Sequence, residues 1–316
     1  MRLVTNSSAM QTVAELIDRV AGTSSSVLVL GESGAGKDAV ARVIHQRSGR
    51  RDRPLVKIDC AALPEDLLES ELFGYEKGAF TGAAESKPGR LEAADGGTLV
   101  LDEISSLASA SQAKLLRVIE ERSFERLGGK HPIKIDVRII ALANVGVKQA
   151  LRSSGFRDDL YYRLAVVTIE LPRLADRLED IAELAAEFIH QFAGRNGRTR
   201  MRFSDEALDA LAGYDFPGNV RELRNIVEHA VLISGEDVIG MGALPDYLRS
   251  AARLMHSRGP KPSLAEVEAV YIREILEHTR GNKTRAAEIL GISRKNLYEK
   301  MHRYNIGKLG GVMSDS

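Results

Sequence analysis

Gly31-Glu32-Ser33-Gly34-Ala35-Gly36-Lys37-Asp38 stands directly after the apolar run Ser26-Val27-Leu28-Val29-Leu30 and directly before the helical pattern Ala39 to Gln46. A glycine, four residues, a second glycine and a lysine, set between strand and helix, form a phosphate loop. Backbone amides at the helix N-terminus cradle phosphates there, and the lysine neutralises the outer ones. The candidate ATP-binding residues are therefore Gly31, Glu32, Ser33, Gly34, Ala35, Gly36, Lys37 and Asp38. Asp38 takes the place of the Ser or Thr that ordinarily ligates magnesium, a departure from the bare pattern. The competing reading, a glycine-rich turn with no ligand, is weakened by the strand and helix on either side.

Such a loop needs a second half, an apolar strand ending in carboxylates. Gly96-Gly97-Thr98-Leu99-Val100-Leu101-Asp102-Glu103 supplies it. Asp102 is placed to hold a magnesium shell and Glu103 to orient and activate water for attack on the γ-phosphate. Three further apolar runs, Leu55 to Ile58, Val137 to Leu142 and Val166 to Leu171, have the profile of buried parallel strands. Helical patterns lie between them, so the fold class is α/β, a parallel sheet covered by helices on both faces. After Leu171 only helical patterns remain strong: Ile181 to Phe192, Asp205 to Leu211 and Asn219 to Ile233. The boundaries read as a polar leader 1–9, an α/β subdomain 10–172, a helical subdomain 173–248, a Gly- and Pro-containing linker 249–263 and a small all-α domain 264–316.

The chain has 316 residues, 44% of them hydrophobic, enough for two or three domains with real cores. One cysteine, Cys60, excludes an intramolecular disulfide and a cysteine zinc site. No apolar run is long enough to span a bilayer and the N-terminus has no signal h-region, so the expected location is cytoplasmic with no membrane partner. Net charge is zero, 44 basic against 44 acidic residues, but Arg280 to Lys308 carries eight basic residues and two acids. That excess suits a nucleic-acid module, or more blandly a solvated helical face.

Asn282 to Met301 reads as helix, tight turn, helix. Gly291 can close the first helix in the left-handed conformation and Ser293 can cap the second. Ile289, Leu290, Ile292, Leu297 and Met301 are the expected shared core. Arg294, Lys295, Asn296 and Tyr298 then sit near the start of a recognition helix. With Lys283, Thr284, Arg285, Ser293 and Lys300 they make up the candidate DNA-binding set. An αα-hairpin used only for packing is the alternative.

The phosphate loop as GESGAGKD, followed by ESELFGYEKGAFTGA and GGTLVLDEI, resembles the AAA+ domain of bacterial sigma-54-dependent transcriptional activators, the nitrogen-regulator class. The likeness runs from about Met10 to the C-terminus. An acid after the loop lysine is usual in that family, so Asp38 is no anomaly within it. The resemblance implies that Gly78, Ala79, Phe80, Thr81, Gly82 and Ala83 contact sigma-54, with the loop 124–134 bracing them. It implies sensor I at Asn144, arginine fingers at Arg157 and Arg163, sensor II at Arg221 and a switch on Glu103 at Asp59. Ala143 stands where the family has Thr, Phe216 where it has Trp, and Asp59 where it has Asn, so the switch is expected to be tuned differently. The C-terminal segment is similar to the Fis-type helix-turn-helix domain, with Leu264 to Glu277 expected to support a dimer.

Taken together, the expected function is an ATP- and magnesium-dependent AAA+ ATPase, assembled as a hexameric ring. It would bind double-stranded enhancer DNA and remodel sigma-54 RNA polymerase. An AAA+ replication initiator or loader, and a DNA-binding regulator with a vestigial ATPase, are the alternatives. The nine residues before Met10 leave no room in this stretch for a receiver domain, so regulation in trans, or by a domain outside it, is expected.

Overall fold

Each of the five apolar runs forms a strand: β1 (Val27–Leu30), β2 (Leu55–Asp59), β3 (Thr98–Asp102), β4 (Arg138–Ala143) and β5 (Val167–Glu170). The computed structural model describes residues 3–144, 156–195, 198, 200–249, 263–279, 281–304 and 306. The strands make one parallel sheet in the order β2-β3-β4-β1-β5. Side chains alternate across a strand, and the two faces bury different sets. Leu28, Leu99, Leu101, Ile139 and Ala141 point into one core with helices α3 (Glu65–Phe73), α4 (Ser109–Glu121) and α5 (Asp158–Leu164). Val27, Val29, Val100, Ile140 and Leu142 point into the other, against α1 (Ser8–Ala21) and α2 (Lys37–Gln46). Burial on both faces explains why the three central strands, β3, β4 and β1, are apolar at nearly every position, while the edge strands β2 and β5 carry exposed polar residues.

The α/β fold class of the sequence reading is the observed one, with differences at its margins. The expected polar leader is partly built into the fold. Val4 is buried, and the backbone amides of Asn6 and Ser7 donate to Asp180 Oδ1 at 2.7 and 2.9 Å. The Ser7 hydroxyl donates to Asp180 Oδ2 at 2.8 Å while capping α1 through the Met10 amide. Only the position of Asp180 in space reveals this, which is why polarity alone suggested a solvated leader.

Beyond β5 come α6 (Ile181–Arg195), α7 (Asp205–Ala212) and α8 (Asn219–Ile233). A two-residue parallel pairing of Arg202–Phe203 with Val238–Ile239 joins them; two-residue strands carry no periodic signal and the sequence reading had none here. The chain divides into two compact units, Met1–Ala243 and Leu244–Ser316. The proposed linker falls almost wholly on 250–262, outside the described residues.

In the second unit α9 (Leu264–His278), α10 (Lys283–Ile289) and α11 (Arg294–Arg303) enclose Ile272, Leu276, Ala286, Ala287, Leu297 and Met301. Gly291 is left-handed at φ 65°, and the Ser293 hydroxyl accepts the Asn296 amide at 3.2 Å. Ile289, expected in this core, is 45% exposed. Two small alanines, Ala286 and Ala287, already fill the inner face of α10 and turn Ile289 outward.

Asp180 is fully buried and accepts three donors from the N-terminal segment, so Asp180→Ala strands two backbone amides without partners. The expected cost is about 2–4 kcal/mol, read as an earlier urea midpoint.

Candidate nucleotide site

The carboxyl ends of the parallel strands open onto a cavity of about 660 Å³, lined among others by Lys37, Asp102, Glu103, Arg177 and Arg221. A parallel sheet places such clefts at its carboxyl edge. Gly34 and Gly36 take positive φ, 78° and 106°, letting the loop from β1 fold back over the start of α2. Lys37 reaches under that loop. Its ammonium donates to the carbonyls of Gly31 and Glu32 at 2.7 and 3.2 Å and to Asn144 Oδ1 at 2.8 Å. Burial holds the Lys37 pKa below the ordinary lysine value, with the carboxylates of Glu103 and Asp102 opposing.

The Asn144 amide in turn donates to both Glu103 oxygens, at 3.3 and 3.1 Å. Glu103, directly after β3, has a left-handed backbone, φ 49°, unusual for a residue with a side chain. Its amide donates to Asp102 Oδ1 at 3.0 Å. Asp59 lies beside Asp102 in register, but its carboxylate accepts the Ala61 amide at 2.9 Å. The side-chain amide on Glu103 therefore comes from Asn144. Cys60, next to Asp59, is buried, and burial first, then Asp59, Asp102 and Glu103, pushes its thiol up to about 12, so it carries no thiolate chemistry.

The first turn of α8 closes over the phosphate loop. Arg221 donates to the Ser33 hydroxyl at 3.0 Å, and Asn219 donates to Glu32 Oε2 and the Ser33 carbonyl at 3.1 and 3.2 Å. Asn219 also accepts the Leu174 amide at 2.8 Å and is left-handed at φ 51°. Arg177, buried, donates to the Ala35 carbonyl at 2.7 Å. Sequence reasoning missed Arg177 and the side chain of Asn219, though Asn219 stands two residues before Arg221. It also missed Lys57, a charge within the apolar β2 run, whose ammonium meets Asp38 at 2.6 Å and Asp102 at 2.7 Å.

The two candidate finger arginines do not line this chain's own cavity. Arg157 pairs with Asp159 at 2.7 Å and Arg163 with Glu120 at 2.9 Å, all at the surface. Residues 145–155, which include Gly155 of the finger segment, lie outside the described residues.

Phe80 sits on a separate turn. Gly78 donates to the Ala83 carbonyl and Ala83 to the Phe80 carbonyl, at 2.9 and 3.0 Å, with Gly78 and Gly82 left-handed. An antiparallel stem, Gly74–Tyr75 with Lys87–Pro88, carries this turn. Phe80 leans edge-on against Tyr75, centroids 5.0 Å apart, yet is 46% exposed; Thr81 beside it is exposed too. The loop 124–134 braces the stem: Leu127 exchanges backbone hydrogen bonds with Gly74 and Glu76 at 2.9 Å, and Arg126 pairs with Glu92 at 2.7 Å.

On the second unit, Thr284, Arg285, Arg294, Lys295 and Asn296 are exposed, and the Lys283 ammonium lies 4.9 Å from the Tyr298 ring centroid. Lys300 is instead tied to Glu268 at 2.5 Å, and the Ser293 hydroxyl is spent on its cap.

The profile of the sigma-54 interaction domain matches residues 3–170, more than half the chain. This chain belongs to the sigma-54 activator family. An AAA+ ATPase lid domain matches 175–259, and the Fis family of bacterial regulatory proteins matches 263–304. Among curated relatives, Regulatory protein AtoC of Escherichia coli is 44% identical over 96% of this chain and 68% of its own length. Nitrogen fixation protein AnfA of Azotobacter vinelandii is 45% identical over 96% and 57%, and ZraR of Salmonella typhimurium 46% over 95% and 68%. NtrX from Brucella abortus in complex with ATP superposes with a TM-score of 0.74 at 34% identity, covering 97% of this chain and 70% of NtrX. The ADP complex of NtrX gives 0.73. The protein is thus an AAA+ ATPase of the sigma-54-dependent transcriptional activators, joined to a Fis-type DNA-binding domain. No helix among the described residues is long and apolar enough to cross a membrane.

A Cβ built on Gly34 would lie 2.3 Å from the Gly218 carbonyl oxygen, at a φ of 78° that side chains resist. Gly34→Ala is therefore expected to push the lid off the phosphate loop and weaken nucleotide binding at least about tenfold, measured by titration with a fluorescent ATP analogue.

Proposed function

We propose that hydrolysis in this activator is carried by the Lys37–Asn144–Glu103 relay and delivered to sigma-54 by Phe80. The observation that carries the second half is an exposed Phe80 on a hydrogen-bonded turn that contributes nothing to the nucleotide cavity. In this reading the amides of Gly31 to Asp38 and the Lys37 ammonium hold the phosphates. Glu103 orients the attacking water and takes up its proton, while Asn144 holds Glu103 until the γ-phosphate competes for the amide. Arg221 brings the lid onto the nucleotide. Asp59, one strand away, tunes Glu103 through charge rather than through a hydrogen bond.

The residues present fit magnesium. Carboxylates of Asp38 and Asp102 converge on one cation, the Lys57 ammonium, within 2.6 to 2.7 Å. Hard oxygen donors in that number suit a magnesium ion that takes its other ligands from phosphate and water. Among the described residues no cluster of three or more His, Cys, Asp or Glu could hold a metal unaided. Magnesium bound with the nucleotide would draw charge from the β- and γ-phosphates.

Arg157 and Arg163, exposed and outside their own cavity, suit completion of a neighbour's site, and with it a hexameric ring. Arg294, Lys295, Asn296 and Tyr298 on α11, with Lys283, Thr284 and Arg285, are assigned to enhancer DNA, with a dimer through the α9 unit giving paired half-sites. Lys300 and Ser293 act in that unit by holding α11. We assign the helical lid to 173–248 and the protein's workplace to the cytoplasm, alongside RNA polymerase.

Glu103→Gln is expected to bind ATP like the parent chain while turnover falls by about a hundredfold or more in a steady-state phosphate-release assay. Phe80→Ala is expected to keep ATPase activity and DNA binding yet lose crosslinking to purified sigma-54 in the presence of a transition-state mimic of ATP. Sigma-54 binding that ignored both Phe80 and the nucleotide would overturn the mechanism.

A further inference from the structure

Lys57 interrupts the apolar run of β2, and neither the phosphate-loop pattern nor the strand-end pattern calls for it. Its ammonium donates to both oxygens of Asp38, at 2.6 and 2.8 Å, and lies 2.7 Å from Asp102 Oδ2. The other Asp102 oxygen accepts the Glu103 amide at 3.0 Å. Asp102 is thereby gripped on both oxygens, and Asp38 is drawn onto the β2 lysine. Burial works against the charge on Lys57, but the hydrogen bonds to Asp102 and Asp38 outweigh it and hold its pKa above the ordinary lysine value.

Charge balance gives this contact its meaning. A phosphate loop with Ser or Thr after its lysine brings a neutral hydroxyl to the metal side. Here Asp38 brings a carboxylate instead, sharing the Lys57 ammonium with Asp102 in a cavity that Glu103 also lines, where a polyphosphate must also be accommodated. Like charges so close disfavour one another unless a cation stands between them. Lys57 is that cation, supplied from the neighbouring strand.

We propose that Lys57 is the built-in counter-cation that makes Asp38 compatible with a phosphate loop, and the positioning residue that fixes Asp102 for the magnesium side of the site. The proposal rests on the site reading above. Three consequences follow from the geometry. Without the ammonium, Asp38 is an uncompensated negative charge at the phosphates and Asp102 loses one of its two restraints. Nucleotide then binds more weakly, and more magnesium is needed to bind it. Replacing Asp38 by the usual hydroxyl removes the charge that Lys57 was needed to offset.

The test is a titration of a fluorescent ATP analogue, at low and saturating magnesium, against the full chain and four variants: Lys57→Met, Lys57→Arg, Asp38→Thr and the double Asp38→Thr/Lys57→Met. Lys57→Met is expected to lose about tenfold in affinity, the scale of one charge-assisted hydrogen bond, and to need more magnesium for half-saturation. Lys57→Arg keeps the cation and is expected to bind like the parent chain, which separates lost charge from a damaged strand. The double variant is expected to recover most of the loss. Parent-like binding by Lys57→Met would overturn the proposal, as would a double variant no better than the single one. A lower magnesium requirement in Lys57→Met would also overturn it, because Lys57 would then compete with the metal rather than prepare its site. A parent chain that bound no nucleotide would instead bring down the site reading itself.

Discussion

One ammonium group ties together the ends of three parallel strands. Lys37 donates to Gly31 after β1 and to Asn144 after β4, and Asn144 donates to Glu103 after β3. The strand order makes this possible, because β3, β4 and β1 are consecutive neighbours in the sheet. Any permutation of that order would move Glu103 or Asn144 a strand width, roughly 5 Å, out of reach. The two hydrophobic cores that hold the sheet between its helices are therefore conditions of the site's geometry as well as of stability. Each core fixes the tilt and height of strands that are followed directly by the residues of the site.

The same edge stores strain. Glu103 and Asn219 both take left-handed backbone without being glycine, and both face the phosphate loop. Such conformations cost on the order of 1 kcal/mol or more each and persist only where surrounding contacts over-determine them. For Asn219 those contacts are its three hydrogen bonds to Leu174, Ser33 and Glu32, made from one buried side chain. The lid is thus joined to the loop by a strained residue, two of whose three bonds depend on the loop's own shape. On the proposed reading, a nucleotide that reshapes the loop would reach the lid through these two bonds as well as through Arg221 on Ser33.

How much of this could be read from the amino-acid sequence follows from the range of each interaction. The central strands were legible because burial on both faces leaves a nearly continuous apolar run, and the helices because one buried stripe recurs every three or four residues. The phosphate loop and the Asp102–Glu103 pair were legible because each lies within a few consecutive residues. Contacts that span the sequence were not. Asp180 meets Ser7 across 173 residues, and Arg177 meets Ala35 across 142. Neither residue has a local pattern that marks it. Lys57 did leave a trace, a charge in an apolar strand, but only the fold brings Asp38 and Asp102 to it. Ile289 misled for a related reason: an isoleucine looks like core until two alanines on the same turn already occupy the inner face.

The candidate finger arginines set the last constraint. In this chain Arg157 and Arg163 are neutralised by Asp159 and Glu120 at the surface, with side chains 44% and 60% exposed. Exposed ion pairs of this kind hold their partners weakly, within about 1 kcal/mol. A transferring γ-phosphate in a neighbouring cavity offers an arginine more charge in a drier setting than either carboxylate does. If Arg157 and Arg163 act as the proposed fingers, these pairs would keep them ordered while the chain is alone and release them at little cost to a neighbour's nucleotide. Under the proposed ring reading, a site built this way would be silent in the isolated chain, because the charge that its transition state needs would come from the next subunit's surface.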